Sequence, residues 1–157
     1  MDVAILTLSD TRGAREDESG RVVAAVVEGW PGATVRERTI LPDDRPAIEA
    51  ALRRLADEAG VDLVLTTGGT GVAPRDVTPE ATIAVCDRLV PGLPELMRAV
   101  SLAKTPMASL SRAQAGLRGQ TLIVNLPGSP RGARECLEAI AAVLPHAVTL
   151  AGGGRPH

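Results

Sequence analysis

Residues 66–82, TTGGTGVAPRDVTPEAT, place a glycine-rich loop directly before a carboxylate and a helix start. Gly68, Gly69 and Gly71, with Thr70 between them, can expose backbone N–H groups and let a ligand approach the backbone closely. Successive N–H groups of this kind form an anion-binding concavity, and phosphate is the expected anion. A tight strand-to-helix turn would also explain the glycines. The stretch matches neither GxxxxGK(S/T) nor GxGxxG, which excludes the usual nucleotide-triphosphatase loop and the dinucleotide fingerprint.

The carboxylate of Asp76 follows these glycines and is preceded by Arg75. A surface ion pair between the two residues is one explanation. Beside a phosphate site, the carboxylate instead indicates a divalent cation, because Mg²⁺ binds one or two carboxylates together with phosphate oxygens of a substrate. Asp43, in LPDD, could supply a second carboxylate or cap the helix that follows. These two tasks could also be divided between Asp43 and Asp44.

Two further polar stretches come directly after apolar runs. Ser9 and Asp10 follow the first run, and Pro127, Gly128 and Ser129 follow a later one. Simple turns would account for both stretches. The proline at position 130 would begin the last helix, whose free N–H groups could also point at a bound anion.

The chain reads as alternating strands and helices. Thr78-Pro79-Glu80 is typical of a helix start, with Thr78 as the N-cap and an acid in the first turn. The charges of the second strand favour an edge position. This alternation predicts an α/β fold, a three-layer Rossmann-like domain whose mostly parallel sheet is covered by helices on both faces. The predicted strands span residues 3–8, 34–41, 62–65 and 120–126, and the predicted helices lie near 22–28, at 45–59, from 79, from 94, and from 130 through Leu137, Ile140 and Val143.

The carboxyl ends of parallel strands meet at one edge of a sheet, where open α/β sheets bind ligands. The four unusual stretches all follow predicted strands. We therefore expect them to form one crevice.

Composition limits the classes of function. The chain has 157 residues, so we expect one domain over residues 1–157, with a frayed tail at about 152–157. A net charge of −2, with one Trp and no Phe or Tyr, disfavours nucleic acid as a partner. We find no basic signal region and no apolar run near the roughly 20 residues that span a bilayer, and we expect a cytoplasmic protein without a membrane partner.

Several other residues with reactive or charged side chains are expected to have no catalytic or metal-binding role. Cys86 and Cys136 are expected on helices as reduced thiols, since they form no CxxC motif and lack histidine neighbours. For Arg112, contact with a ligand is one alternative, and a surface arginine is favoured. His146 and His157 receive no role.

The motifs TLSD, LPDD, TTGGTGVAPRDVTPEAT, PGL, LSR and NLPGSP, in this order, resemble the molybdenum-cofactor biosynthesis family. That family includes the bacterial MogA and MoaB proteins and the G domains of animal gephyrin and its plant counterpart. The resemblance covers nearly the whole chain, and its length is nearer the MoaB type. It implies a homotrimer that transfers an adenylyl group from Mg-ATP to molybdopterin and releases pyrophosphate. The adenylate then passes to a molybdenum-insertion enzyme.

The resemblance also assigns roles to individual residues. Asp43 and Asp76 match the two key aspartates, which implies catalytic and Mg²⁺-binding roles. The residues implied to contact molybdopterin or ATP are Ser9, Asp10, Gly68, Gly69, Thr70, Gly71, Thr78, Glu80, Pro127, Gly128 and Ser129. A non-catalytic molybdopterin carrier or scaffold of the MoaB type is the alternative, and a gephyrin-like assembly module is a third. The presence of both aspartates favours the enzyme.

Overall fold

Apolar residues that alternate between two faces build the central sheet. The computed structural model describes residues 1–11 and 16–154. Within these residues the sheet has six strands in the order β2-β1-β3-β6-β5-β4. The first three strands and β6 are parallel, β5 is antiparallel to β6, and β4 is antiparallel to β5. The strands are β1 (Asp2–Leu8), β2 (Thr34–Leu41), β3 (Leu63–Thr67), β4 (Arg88–Leu89), β5 (Ala115–Arg118) and β6 (Thr121–Leu126).

Helices cover both faces of this sheet. A π-helical turn, Arg54–Glu58, continues the second helix, and a 3₁₀ turn, Pro106–Leu110, follows the fourth. The α-helices are α1 (Glu18–Glu28), α2 (Arg45–Arg53), α3 (Thr78–Val85), α4 (Gly92–Leu102), α5 (Pro130–Ile140) and α6 (Leu144–Ala151). In the described part of the chain, no helix is long and apolar enough to cross a membrane.

The side chains of the strands contribute to two separate hydrophobic cores, one on each face of the sheet. On β1, Val3 and Ile5 pack under α1, α4, α5 and α6, whereas Ala4, Leu6 and Leu8 pack under α2 and α3. The predicted three-layer fold is confirmed, and so is the edge position of β2.

This topology creates a crevice between β1 and β3. The chain leaves β1 through α1 on one face of the sheet and returns to β3 through α2 on the other. Loops that leave neighbouring strands toward opposite faces open a crevice at the carboxyl edge. The loops after β1 and β3 lie at this point.

Some elements differ from the sequence prediction. The short β4 and β5 were not predicted, because RL and AGLR carry no alternating apolar pattern. The predicted last helix is two helices, since α5 ends at Ile140 and α6 begins at Leu144 with a proline in its first turn. The third strand runs two residues further than predicted, because Thr66 accepts a hydrogen bond from Asn125 and Thr67 donates to the carbonyl of Pro127.

The sequence predictions for the two cysteines and for the C-terminal tail can also be compared with the structure. Cys136 lies in α5 as predicted, whereas Cys86 ends α3 with extended backbone (φ −79°, ψ 139°) and is not helical. Both thiols are free, and burial raises the pKa of Cys86 to about 11. In the tail, the Gly154 N–H donates to the Thr149 carbonyl at 2.9 Å, and residues 155–157, including His157, lie outside the described residues.

We predict that Leu65→Ala destabilises the fold by about 2–5 kcal/mol, because Leu65 is fully buried in the central strand and truncation leaves a cavity. Urea unfolding followed by circular dichroism measures this loss. Leu150→Ala is the control, since Leu150 is 47% exposed, and it should change the free energy of unfolding by less than about 0.5 kcal/mol. Equal losses in the two variants would contradict the assignment of Leu65 to the core.

Candidate active site

The loops after β1, β2, β3 and β6 meet at the carboxyl edge of the sheet. They enclose a cavity of about 290 Å³, which we call the rim cavity. Its lining residues are Leu8, Ser9, Asp10, Thr11, Asp43, Thr67, Gly68, Gly69 and Gly128. The expected crevice therefore exists, and it draws residues from four sequence-distant stretches.

The glycine loop can pass this point only without side chains. Gly68 and Gly69 have positive φ angles of 106° and 65°. A Cβ atom on Gly68 would lie 2.4 Å from the carbonyl oxygen of Leu8. The Gly68 N–H donates to the carbonyl of Leu126 at 3.2 Å, and the Thr78 hydroxyl donates to the carbonyl of Gly68 at 3.0 Å. The loop is thus held between three elements, β1, β6 and α3.

The amide groups of this loop remain available to a ligand. Within residues 1–11 and 16–154, the N–H groups of Gly69, Thr70 and Gly71 donate to no protein acceptor. Consecutive unpaired N–H groups next to left-handed backbone form an anion-binding concavity. The loop can therefore bind a phosphate without any lysine.

Asp43 lines the rim cavity and carries an unsatisfied oxygen. Its Oδ1 atom is buried and has no hydrogen-bond partner among the described residues, and it lies 2.9 Å from the position that a Cβ on Gly69 would take. Burial raises the pKa of the Asp43 carboxyl, and the negative charges of Asp10 and Asp76 raise it further. A nearby cation would relieve both effects. Asp44, rather than Asp43, caps α2, since it accepts the N–H of Ala47 at 3.1 Å.

Asp76 lies at the other end of the glycine loop. Its Oδ2 atom accepts the N–H of Ala73 at 2.9 Å and lies 2.8 Å from the position of a Cβ on Gly71. The two carboxylates therefore contact glycines that are two positions apart, and the charge of one acts on the pKa of the other. Asp43 and Asp76 therefore lie beside the same glycine loop, and of the two only Asp43 lines the rim cavity.

Asp10 joins the loops of β1 and β2 to the glycine loop. Its carboxylate accepts two hydrogen bonds from Arg75, at 2.6 and 2.8 Å, and one from the N–H of Asp43 at 2.9 Å. The hydrogen bonds from Arg75, and then the bond from Asp43, lower the pKa of Asp10. The neighbouring Ser9 donates its N–H to the carbonyl of Leu41 and accepts the N–H of Thr11.

The remaining predicted residues have mainly supporting contacts. Thr78 is not the N-cap that the sequence predicted: it lies inside the first turn of α3 and uses its hydroxyl on the loop. Ser129 caps α5 by accepting the N–H of Gly132 at 3.1 Å. Pro127 accepts the Thr67 hydroxyl at 2.6 Å, and Gly128 packs against Gly68.

Arg112 is the residue that sequence reasoning missed. It is half-buried rather than a surface arginine, and its guanidinium donates to the Gly71 carbonyl at 2.7 Å and to the Asp76 carbonyl at 2.5 Å. It also bonds the carboxylate of Glu80, whose pKa it lowers, and its own N–H donates to the carbonyl of Thr70. The sequence signal was only the LSR motif, which has no periodic pattern around it.

A second cavity of about 290 Å³, the side cavity, lies next to the rim cavity along the glycine loop. Thr70, Pro127 and Ser129 line it, next to the residues Gly69 and Gly128 of the rim cavity. The rest of its wall comes largely from α4, α5 and the 3₁₀ turn and consists of Met97, Arg98, Ser101, Lys104, Thr105, Met107, Ala108, Ser111, Ala113, Gly132, Glu135 and Cys136. Two adjacent cavities fit a ligand, or a ligand pair, with an anionic part and a larger organic part.

The donor set fits a magnesium ion shared with a substrate. In the described ranges, no cluster of three or more His, Cys, Asp or Glu residues could hold a metal alone. Two carboxylates, one with an unsatisfied buried oxygen, instead match an ion that takes its other ligands from phosphates and water.

These features define a class: a doubly wound α/β domain with a candidate anion site at the switch point of its sheet. Residues 4–146 match the family model described as the probable molybdopterin binding domain. The chain belongs to this family.

Named relatives are similar over most of the chain. A molybdopterin adenylyltransferase of Helicobacter pylori (strain J99) is 45% identical over 151 residues, covering 94% of this chain and 86% of the relative. One of Escherichia coli (strain K12) is 52% identical over 104 residues, covering 66% of this chain and 53% of the relative. The solved structure of the molybdopterin biosynthesis enzyme MoaB from Thermus thermophilus superimposes with a TM-score of 0.91 at 56% identity, covering 99% of this chain and 98% of that one.

We predict that Gly69→Ala destabilises the protein more than Gly119→Ala does, by about 1 kcal/mol or more. Both residues have positive φ, at 65° and 55°, so both substitutions carry the same backbone strain of about 1–2 kcal/mol. Only at Gly69 would the new Cβ also meet the Thr78 hydroxyl, at 2.4 Å, and the Asp43 carboxylate. Urea unfolding compares the two variants, and equal losses would show that the loop has room for a side chain.

Proposed function

We propose that this protein is a molybdopterin adenylyltransferase of molybdenum cofactor biosynthesis. The names of its relatives support this activity. The observation that carries the proposal is the buried, unpartnered Oδ1 atom of Asp43 beside the free amides of the glycine loop. An oxygen without a partner in this place suits a cation, and free amides suit an anion. Mg-ATP supplies both.

The proposed reaction is a single phosphoryl-type displacement. An oxygen of the terminal phosphate of molybdopterin attacks the α-phosphorus of ATP. The bond from that phosphorus to the bridging oxygen breaks, and pyrophosphate leaves with that electron pair. Protein side chains need form no covalent bond to the substrates in such a step. The rate therefore depends on how the substrates are positioned and on how their negative charge is stabilised. The amides of Gly69, Thr70 and Gly71 are placed to stabilise the phosphate charge.

We assign the metal to Asp43 and Asp76. When bound, Mg²⁺ would neutralise phosphate charge that the two carboxylates would otherwise repel. The role of the two aspartates is to hold and orient the phosphates, and neither acts as a nucleophile.

The two cavities would divide the substrates. The rim cavity, with Asp10, Asp43 and the glycine loop, takes the triphosphate. The side cavity has a mixed lining that includes Met97, Ser101 and Ser111, which suits the pterin ring system. Thr70 lies between the two parts, where the phosphate of molybdopterin would meet the α-phosphorus.

Assembly and cellular context belong to the same proposal. We propose a cytoplasmic homotrimer that hands the adenylate to a metal-inserting enzyme. Free thiols at Cys86 and Cys136 suit a reducing compartment. Exposed apolar side chains on and after α4 supply a candidate self-association surface: Leu96, Leu102, Met107 and Leu110.

We predict that Asp76→Asn lowers the turnover number at least about 100-fold, while the Kd for molybdopterin changes less than about threefold. The reason is that the carboxylate is assigned to the metal ion and the phosphates, and not to the pterin ring. Pyrophosphate release in single-turnover reactions with Mg-ATP and molybdopterin measures the first quantity, and fluorescence titration measures the second.

Asp57→Asn is the matched control, since Asp57 is a surface carboxylate bound to Arg118, away from both cavities, and its turnover should equal that of the original protein. Equal losses of turnover and molybdopterin affinity in Asp76→Asn would contradict the proposed division. Tight molybdopterin binding without pyrophosphate release in the original protein would identify a carrier instead.

We predict a trimeric mass by light scattering. Leu102→Glu together with Met107→Glu should shift this mass toward the monomer, since charges at a buried apolar interface are costly. A trimer that survives both charges would place the interface elsewhere, and a monomeric original protein would refute the assembly.

A further inference from the structure

Building on the proposed function, we propose that Arg112 is a positioning residue that couples the side cavity to the Asp76 carboxylate. Through this arginine, a ligand in the side cavity would set the geometry of the turn from Gly71 to Asp76. The two substrates would then bind cooperatively.

The first half of the coupling is the set of hydrogen bonds that Arg112 donates to the turn. Its guanidinium donates to the carbonyls at both ends, 2.7 Å to Gly71 and 2.5 Å to Asp76. Apart from these bonds, the turn is held by two short-range bonds between Ala73 and Asp76 and by the ion pair of Arg75 with Asp10. The carboxylate of Glu80, on α3, holds the guanidinium from a third direction.

The second half is the position of Arg112 directly behind the wall of the side cavity, which Arg112 itself does not line. Both of its chain neighbours, Ser111 and Ala113, line that cavity, and so does Thr70, whose carbonyl accepts the Arg112 N–H at 2.8 Å. From α4, Arg98 donates to the carbonyls of Ser111 and Ala113. A ligand in the side cavity therefore touches the backbone that carries Arg112 on two sides.

The guanidinium suits this task for a geometric reason. Its fixed, planar fork reaches two carbonyls and one carboxylate at once, whereas a lysine ammonium is a flexible point charge. A shift of about 1 Å in a positioned group can cost about 100-fold in rate. Replacing the fork should therefore disturb Asp76 even though the positive charge remains.

Arg112→Lys tests the inference, with Arg118→Lys as the matched control. Arg118 likewise bonds a carboxylate, that of Asp57, and a backbone carbonyl, that of Val85, but its chain neighbours line neither cavity. We expect the turnover number to fall about 10–100-fold in Arg112→Lys and to stay within about twofold in Arg118→Lys. Similar turnover in the two variants would overturn the inference.

Binding cooperativity separates a coupling role from a merely structural one. The Kd of molybdopterin is measured with and without α,β-methylene-ATP and Mg²⁺. In the original protein we expect about 5-fold or stronger tightening, within the usual range of coupling between sites. In Arg112→Lys the tightening should fall below about twofold while the Kd of molybdopterin alone stays within about threefold. Undiminished tightening in that variant, or none in the original protein, would refute the coupling.

A double-mutant cycle adds Glu80→Gln. Because Glu80 acts through Arg112, the double variant should lose about as much turnover as the more severe single variant. If the two residues acted independently, the fold-losses of the single variants would multiply. Multiplied losses would overturn the proposed route.

Hydrogen exchange of residues 71–76 keeps the test independent of catalysis. Arg112→Lys should speed this exchange at least about tenfold, and Arg118→Lys should leave it unchanged. If the original protein releases no pyrophosphate, the proposed function fails, yet the exchange and the binding of α,β-methylene-ATP still decide the role of Arg112. Unchanged exchange in Arg112→Lys would refute that role.

Discussion

The close packing of the Gly68 backbone against the end of β1 is the constraint on which the site depends. No side chain fits between Gly68 and the Leu8 carbonyl, and the same residue bonds the carbonyl of Leu126. The loop is packed tightly against the sheet edge, and its next three amides have no acceptor among the described residues. The packing cores set this arrangement, since they fix the ends of β1, β3 and β6 relative to one another. Anion binding here is thus a consequence of how the strands end.

The fold leaves the electrostatics of the site unbalanced. The charges of Asp10 and Asp76 both raise the pKa of Asp43, and Arg75 is paired with Asp10. Asp43 keeps an oxygen without a partner among the described residues at a cost in stability, because buried polar atoms are normally satisfied. Such local cost is expected where a protein is built to receive a charged ligand.

Much of the fold was predictable because local patterns agree with the global topology. The apolar runs of β1, β3 and β6 and the charged alternation of β2 identify their positions in the sheet, and the strand ends then identify the site. Arg112 was not predictable in this way, since its partners are backbone carbonyls that only the folded loop brings within reach. The division of labour between Asp43 and Asp44 was left open for a similar reason: either residue can cap a helix, and only the loop geometry selects Asp44.

The two cavities meet at the glycine loop, where Gly69 lines one of them and Thr70 lines the other. A reactant occupies one compartment and can leave as soon as that set of contacts breaks. A molecule whose two halves have been joined across the loop must break both sets together, so it dissociates more slowly than either half. A protein with two such cavities would hold its joined product longer than either substrate. Release of that product would then be a slow step of the catalytic cycle.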